Sequence, residues 1–174
     1  TNRSQFSIDH ILIGLRFVLY GLFLKVVLAD NISILVDRGF LIEVENLSAI
    51  DIWTLSFLFG FQIYFDFSAY SSIAIGSAKL LGISLPENFN FPYSSSNPKE
   101  FWKKWHITLS RWVKDYLYKT QISILSRILK FNVYNPIFAL FVSWAIMGLW
   151  HGPSWNFVLW GIIHATYIFI YRFS

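Results

Sequence analysis

The stretch IMGLWHGPSWNF, residues 146–157, sets an ionisable ring, His151, against Gly152 and Pro153 at the end of an apolar run. Proline cannot continue an intrahelical hydrogen-bond ladder, so a helix arriving here must stop. Ser154 is placed to cap the next one. Irregular backbone at membrane depth persists only where it is buried in protein or lines a cavity. An ionisable residue at such a break is a functional candidate by default. Gly148 and Gly152 are expected to let another group approach the imidazole closely. An imidazole titrates near neutrality and suits general-base work on a hydroxyl. The competing reading is a histidine resting at the outer interface. Beyond the break, Asn156, Trp160 and His164 recur at i, i+4 and i+8 and share a helical face. That polar stripe either lines a path or serves helix–helix hydrogen bonding.

A second ring, His106, lies in NPKEFWKKWHITLSRWVKDYLYK, residues 97–119. By itself it reads as an interfacial, hydrogen-bonded histidine. His10 precedes the first apolar run and is read as surface. Other chemistries drop out. The chain has no cysteine, which removes thiolate catalysis, disulfides and cysteine-held metals. No histidine pair has metal-ligand spacing, and HExxH, Walker, GxGxxG and nucleophile-elbow patterns are absent from the sequence. No bound cofactor or metal is expected.

The elements that hold these rings follow from composition. Hydrophobic residues make up 55% of the 174 positions, charged residues only 14% and aromatics 20%, with eight tryptophans. A soluble domain carries about 25% charged residues, and interfacial aromatics mark membrane proteins. The fold class is therefore all-α and polytopic, in a single partial membrane domain over 1–174. It has about four membrane-embedded segments and an amphipathic cytoplasmic-side helix. The chain starts at Thr1 without methionine or signal pattern, which points to a piece of a longer protein.

Residues 11–29 make the first span, with Lys25 snorkelling to a nearby interface and Arg16 facing a polar bundle interior. Residues 30–51 hold five carboxylates against Arg38 and form an outer segment. Residues 52–82 are long enough for a span plus a second, bent helix. Ala69, Ala74, Gly76 and Ala78 permit close packing there. LPENFNFPY, 85–93, must be irregular. Asn97, Pro98 and Glu100 signal a helix start. The helix over 97–119 gathers Trp102, Trp105, His106, Leu109, Trp112, Val113 and Tyr116 on one side and cations on the other, as an in-plane helix does. Residues 99–130 hold eight cations against Glu100 and Asp115. Basic flanks stay cytoplasmic, so the spans alternate: 11–29 outward, 52–82 inward, 133–150 outward, 155–171 inward, with Arg172 at the inner edge. The interleaved basic and aromatic residues would also suit single-stranded nucleic acid, but beside these spans they point to the bilayer, and no nucleic-acid partner is expected.

Three motifs, YFDFSAYSSIAIGSAKLLGISLPENFNFPY, FWKKWHITLSRWVKDYLY and GLWHGPSWNFVLWGIIH, resemble the membrane-bound O-acyltransferase family. The nearest branch is the bacterial alginate O-acetyltransferase type, with the D-alanyl transferase of teichoic acid synthesis beside it. The resemblance implies a multi-pass enzyme of the inner or plasma membrane. It implies acyl transfer, of acetyl first, from a cytoplasmic thioester on coenzyme A or a carrier onto a cell-envelope or extracellular polysaccharide hydroxyl. His151 matches the family's essential histidine and His106 a second one typical of the bacterial branch. Asp66, Trp105, Trp150, Asn156, Trp160 and His164 become candidates for substrate binding or for lining a tunnel between the two faces. The lipid bilayer, a polysaccharide acceptor, a carrier protein at the basic face and an envelope acetylation partner are the implied partners. The chain departs from the family pattern at Ala69 and Ser72, where glycine and aspartate are usual. It departs again at KTQIS, 119–123, where IPLGG is usual, which bears on the shape of the cytoplasmic loop and on any donor contact made there. A transporter or a non-catalytic scaffold would use the same spans.

Overall fold

The computed structural model describes residues 8–129 and 134–173. Thr1, Lys130 and residue 133, the first of the expected third span, lie outside them. Every regular element among the described residues is helical, and the chain divides into two compact units, Thr1–Glu87 and Asn88–Ser174.

In the first unit, α1 (Ile8–Leu22), a π-helical stretch (Phe23–Ala29) and α2 (Asp30–Phe40) run on without a break. Together they form a 33-residue helix of mean hydropathy 2.2 in its most apolar window. Among the described residues this is the one helix long and apolar enough to cross a membrane. The helix thus continues past residue 30, and its π-turns change the side-chain register. In an α-helix residues i and i+5 point apart, whereas the π-helical i→i+5 repeat brings them towards one line. Lys25 thus reaches Asp30 at 3.0 Å, and also Asp66 of the next helix at 2.6 Å. The Asn31 amide donates to the carbonyls of Val26 and Val27 in the widened turns. Lys25 is consequently an ion-paired clip between helices and not a snorkelling side chain. Arg16, expected to face a polar interior, is exposed in its own unit.

The helix α3 (Ala49–Leu80) is 32 residues long and unbroken, so the expected second, bent helix is its continuation. Nothing in 52–80 interrupts it: there is no proline, and Gly60 and Gly76 are isolated. A capping box starts it. The Ser48 N–H donates to the Asp51 carboxylate at 3.0 Å, and the Asp51 N–H donates to Ser48 Oγ at 3.3 Å. Its packing on α1 is backbone-close. A Cβ at Gly21 would stand 2.8 Å from the Ala69 carbonyl oxygen, and one at Gly76 would stand 2.6 Å from the Gly14 oxygen. Ala69 and Gly76 thus do what their size predicted.

The Lys25 clip carries a testable consequence. Removing one partner of an ion pair in an apolar setting strands a charge and costs more than removing both. Lys25→Met should lower the yield of folded protein extracted from membranes, and adding Asp66→Asn should recover part of it. Equal yields for Lys25→Met and wild type would contradict this role.

The second unit begins with the irregular 88–97 segment, which contains a short turn at Pro92–Ser94. Then come α4 (Pro98–Lys104), α5 (Ile107–Trp112), a π-helical stretch (Val113–Tyr118) and α6 (Lys119–Leu129). The start is as expected: Asn97 Oδ1 accepts from the Glu100 N–H at 2.8 Å, with Pro98 in the first turn. The Lys104 ammonium, 2.7 Å away, and the hydrogen bonds from Ser96 hold the Glu100 carboxyl down to about 2.

The expected single helix over 97–119 is instead broken at Trp105 and His106. Its periodicity is also displaced. The wider π-turns spread the inward positions to every fourth residue, so Leu109, Val113 and Leu117 face the core. Trp112 and Tyr116 stack on each other at 5.6 Å on the exposed side. KTQIS, where the chain departs from the family pattern, opens α6 as regular helix, with Lys119 paired to Asp115 at 2.6 Å.

The last two helices, α7 (Tyr134–His151) and α8 (Trp155–Phe173), form an antiparallel hairpin around Gly152, Pro153 and Ser154. Gly161 lies on the Trp144 carbonyl, and Gly148 on that of Phe157. Trp144, Met147, Val113 and Ala165 form the core beneath.

Candidate active site

His151 is the last residue of α7 and is exposed. The stop is as the proline dictates. α8 begins at Trp155, with Ser154 Oγ accepting from the Asn156 N–H at 3.3 Å. The space beside the two glycines serves a different purpose from the one expected. A side chain at Gly152 would run into the Phe157 ring, and one at Gly148 into the Phe157 carbonyl. The group that approaches is therefore α8 itself. The hairpin closes tightly and fixes the end of α7.

The His151 ring is held between two indoles. Trp150 lies 5.0 Å away and Trp160 5.2 Å away, both edge to face. Trp160 in turn meets His164 at 4.7 Å. The stripe predicted on α8 is thus a chain of ring contacts running from His151 along the helix. Asn156, its first member, stays exposed.

His164 is surrounded by aromatic rings. Trp102 of α4 stands 5.1 Å from it, Trp144 of α7 lies 5.7 Å away and near parallel, and Tyr167 is 6.2 Å away. Trp102 also packs edge-on to Trp144 at 4.5 Å. This ties the helix just before His106 to the hairpin bearing His151. Trp102 and Trp144 were missed as site residues. Both were visible as tryptophans on apolar helical faces, but single-chain periodicity does not say which face meets which.

His106 stands just before α5, at its N-cap position, in the left-handed region, with φ 41° and ψ 56°. Such angles are uncommon for a residue with a Cβ, although histidine is among those enriched there. Residues held this way cluster at functional sites. The ring is half-buried. Burial, and secondarily the charge on His151, pushes its pKa down.

Not every candidate joins them. Trp105 turns to a second aromatic group, stacked on Phe101 at 5.6 Å and edge-on to Phe89 at 5.2 Å. Asp66 belongs to the first unit and is engaged by Lys25. Among the described residues no cluster of three histidine or carboxylate side chains is positioned to hold a metal.

The membrane-bound O-acyltransferase family pattern matches residues 2–174. The chain belongs to this family. Its relatives include a peptidoglycan O-acetyltransferase of Helicobacter pylori, 40% identical over 98% of this chain and 31% of that protein. A probable alginate O-acetylase of Azotobacter vinelandii is 37% identical over 98% of the chain and 33% of that protein. A teichoic acid D-alanyltransferase of Streptococcus thermophilus is 30% identical over 94% and 39%. The chain spans about a third of the length of the first two relatives. As a family member it is membrane-bound, and its resemblance at His106 and His151 falls on two histidines of the second unit.

Proposed function

We propose that this chain carries the reacting centre of an O-acyltransferase that acylates a hydroxyl of a cell-envelope or extracellular polysaccharide, with acetyl as the group moved. The observation that carries the proposal is that His106 and His151 lie in one unit, His106 in a left-handed turn and His151 against Trp150 and Trp160 at the tight α7–α8 hairpin. His151 accepts the acceptor hydroxyl's proton as the oxygen attacks the thioester carbonyl. The C–S bond breaks, the thiolate leaves and takes up the proton that His151 gives back, and an ester remains. The aromatic rings around His151 and His164 keep water from the donor. His106 acts near the thioester path. The names of the alginate and peptidoglycan relatives favour acetyl transfer. The D-alanyltransferase relative favours D-alanyl transfer to teichoic acid as the second reading.

The test is transfer of radiolabelled acetyl or D-alanyl from a thioester to purified polysaccharide by the full protein in native membranes. No transfer of either group to any envelope polymer would end the proposal.

In the same reading the protein is multi-pass in the cell membrane, with about four membrane-embedded segments, a cytoplasmic face at 99–130 and an outer face at 37–51. The basic face receives the donor, on coenzyme A or on a carrier protein, and an envelope acetylation partner works on the outer side. Cysteines replacing Lys119 and Glu45, in a chain with none of its own, should react with impermeant thiol reagents only from the inside and only from the outside respectively. Labelling of position 119 in intact cells would overturn that orientation.

A further inference from the structure

The left-handed turn at His106 is bracketed on both sides by one short piece of chain. Before it, the Lys104 carbonyl accepts from the Asn90 N–H at 3.0 Å. After it, the Ile107 N–H donates to the Asn88 carbonyl at 2.9 Å. The Asn88 side chain then takes the next residue. Its Oδ1 accepts from the Thr108 N–H at 3.2 Å and from Thr108 Oγ1 at 2.6 Å. A helix start leaves its first N–H groups without intrahelical partners, and the residue before the helix ordinarily supplies the cap. His106 occupies that position in α5 and makes no side-chain cap bond. The capping work is done from outside, by Asn88.

We propose that Asn88 is a positioning residue for His106: it caps α5 in the histidine's place and so holds residue 106 in the left-handed conformation that aims its ring. The inference rests on the proposed catalytic use of His106 but concerns its geometry, which is measured separately. Two backbone bonds from 88 and 90 fix the path of the chain. The two bonds to the Asn88 side chain fix the first turn of α5, and with it the direction in which the turn opens. A side chain one ångström out of place at a reacting centre costs about 10²-fold in rate.

The experiment uses the full protein in membranes, with Asn88→Ala, Asn88→Asp and Thr108→Val. Two quantities are read for each: turnover with donor KM, and the rate at which diethyl pyrocarbonate modifies the peptide bearing residue 106, followed by mass spectrometry. Aspartate keeps an oxygen that accepts both bonds, and alanine keeps none. Asn88→Ala should lower kcat by about 10- to 100-fold with little change in donor KM, and should change the modification rate of His106 severalfold. Asn88→Asp should recover most of both. Thr108→Val, which loses only the hydroxyl bond, should fall between and serves if Asn88→Ala does not fold. An unchanged modification rate in folded Asn88→Ala or Thr108→Val overturns the positioning role. If the rate changes as stated but His106→Ala turns over like wild type, the positioning stands and the catalytic reading of His106 falls.

Discussion

His151→Ala in the full protein should lose about 10²–10⁴-fold in acyl transfer, the usual contribution of a general base. His151→Gln should fail nearly as badly. Glutamine keeps the size and can hydrogen-bond, but it takes no proton at neutral pH. The structure separates this from a packing role. His151 ends α7 on an exposed position, and the tight hairpin beneath it is made by Gly148, Gly152 and Phe157. Removing the imidazole gives up its edge contact with Trp160 but leaves the closure made by Gly148, Gly152 and Phe157, so both variants should stay folded, with expression and melting temperature close to wild type. Donor binding should survive as well, because the ring's task is to take the acceptor's proton. A histidine needed only for packing gives the opposite pattern, with glutamine restoring what alanine loses and the defect appearing in melting temperature. Near-normal transfer by folded His151→Gln protein would falsify the assignment.

What the sequence made legible divides along a physical line. Breaks and caps depend on local chemistry, and they were readable: the stop at Pro153, the cap by Ser154 and the start at Asn97 with Pro98 are all present. The three-dimensional company of each ring was not readable. The face of a helix follows from periodicity only while the period stays near 3.6 residues. Two π-helical stretches, Phe23–Ala29 and Val113–Tyr118, change it. The first turned Lys25 towards Asp30 and Asp66. The second moved Tyr116 outward and Leu117 inward. The break at His106 was hidden for another reason. No proline or glycine marks it, and the bonds that stabilise it come from Asn88 and Asn90, outside the periodic segment. Those asparagines lay in a stretch that composition identified as irregular, without saying what the irregularity held in place. The aromatic contacts that join Trp102 to His164 link α4 to α8 and are long-range by nature. The family resemblance singled out both histidines, and their environment came only with the fold.

His106→Gly should separate the ring from the turn. Glycine enters the left-handed region at no steric cost, whereas a residue with a Cβ is held there at about 1–2 kcal/mol. If His106 serves only to make the turn between α4 and α5, glycine replaces it well, and both stability and transfer persist. If the imidazole does chemistry, His106→Gly keeps or raises the melting temperature and still loses transfer by about 10²-fold or more. The pH profile gives an independent check. Burial, reinforced by the charge on His151, lowers the His106 pKa in the folded protein. The ring is therefore neutral at and somewhat below the ordinary imidazole value. Its own contribution to transfer should be lost as pH drops through the lowered folded value, as the ring protonates. Stability should move the same way. Between the folded and unfolded values the unfolded chain binds more protons, so folding weakens as pH falls through that window and is insensitive to this group above it. In His106→Gly this group's share of the acid sensitivity should vanish from the melting profile, because the titrating ring is gone. Wild-type turnover by His106→Gly, with the acid limb of transfer unchanged, would assign His106 to the turn alone and leave His151 as the reacting histidine.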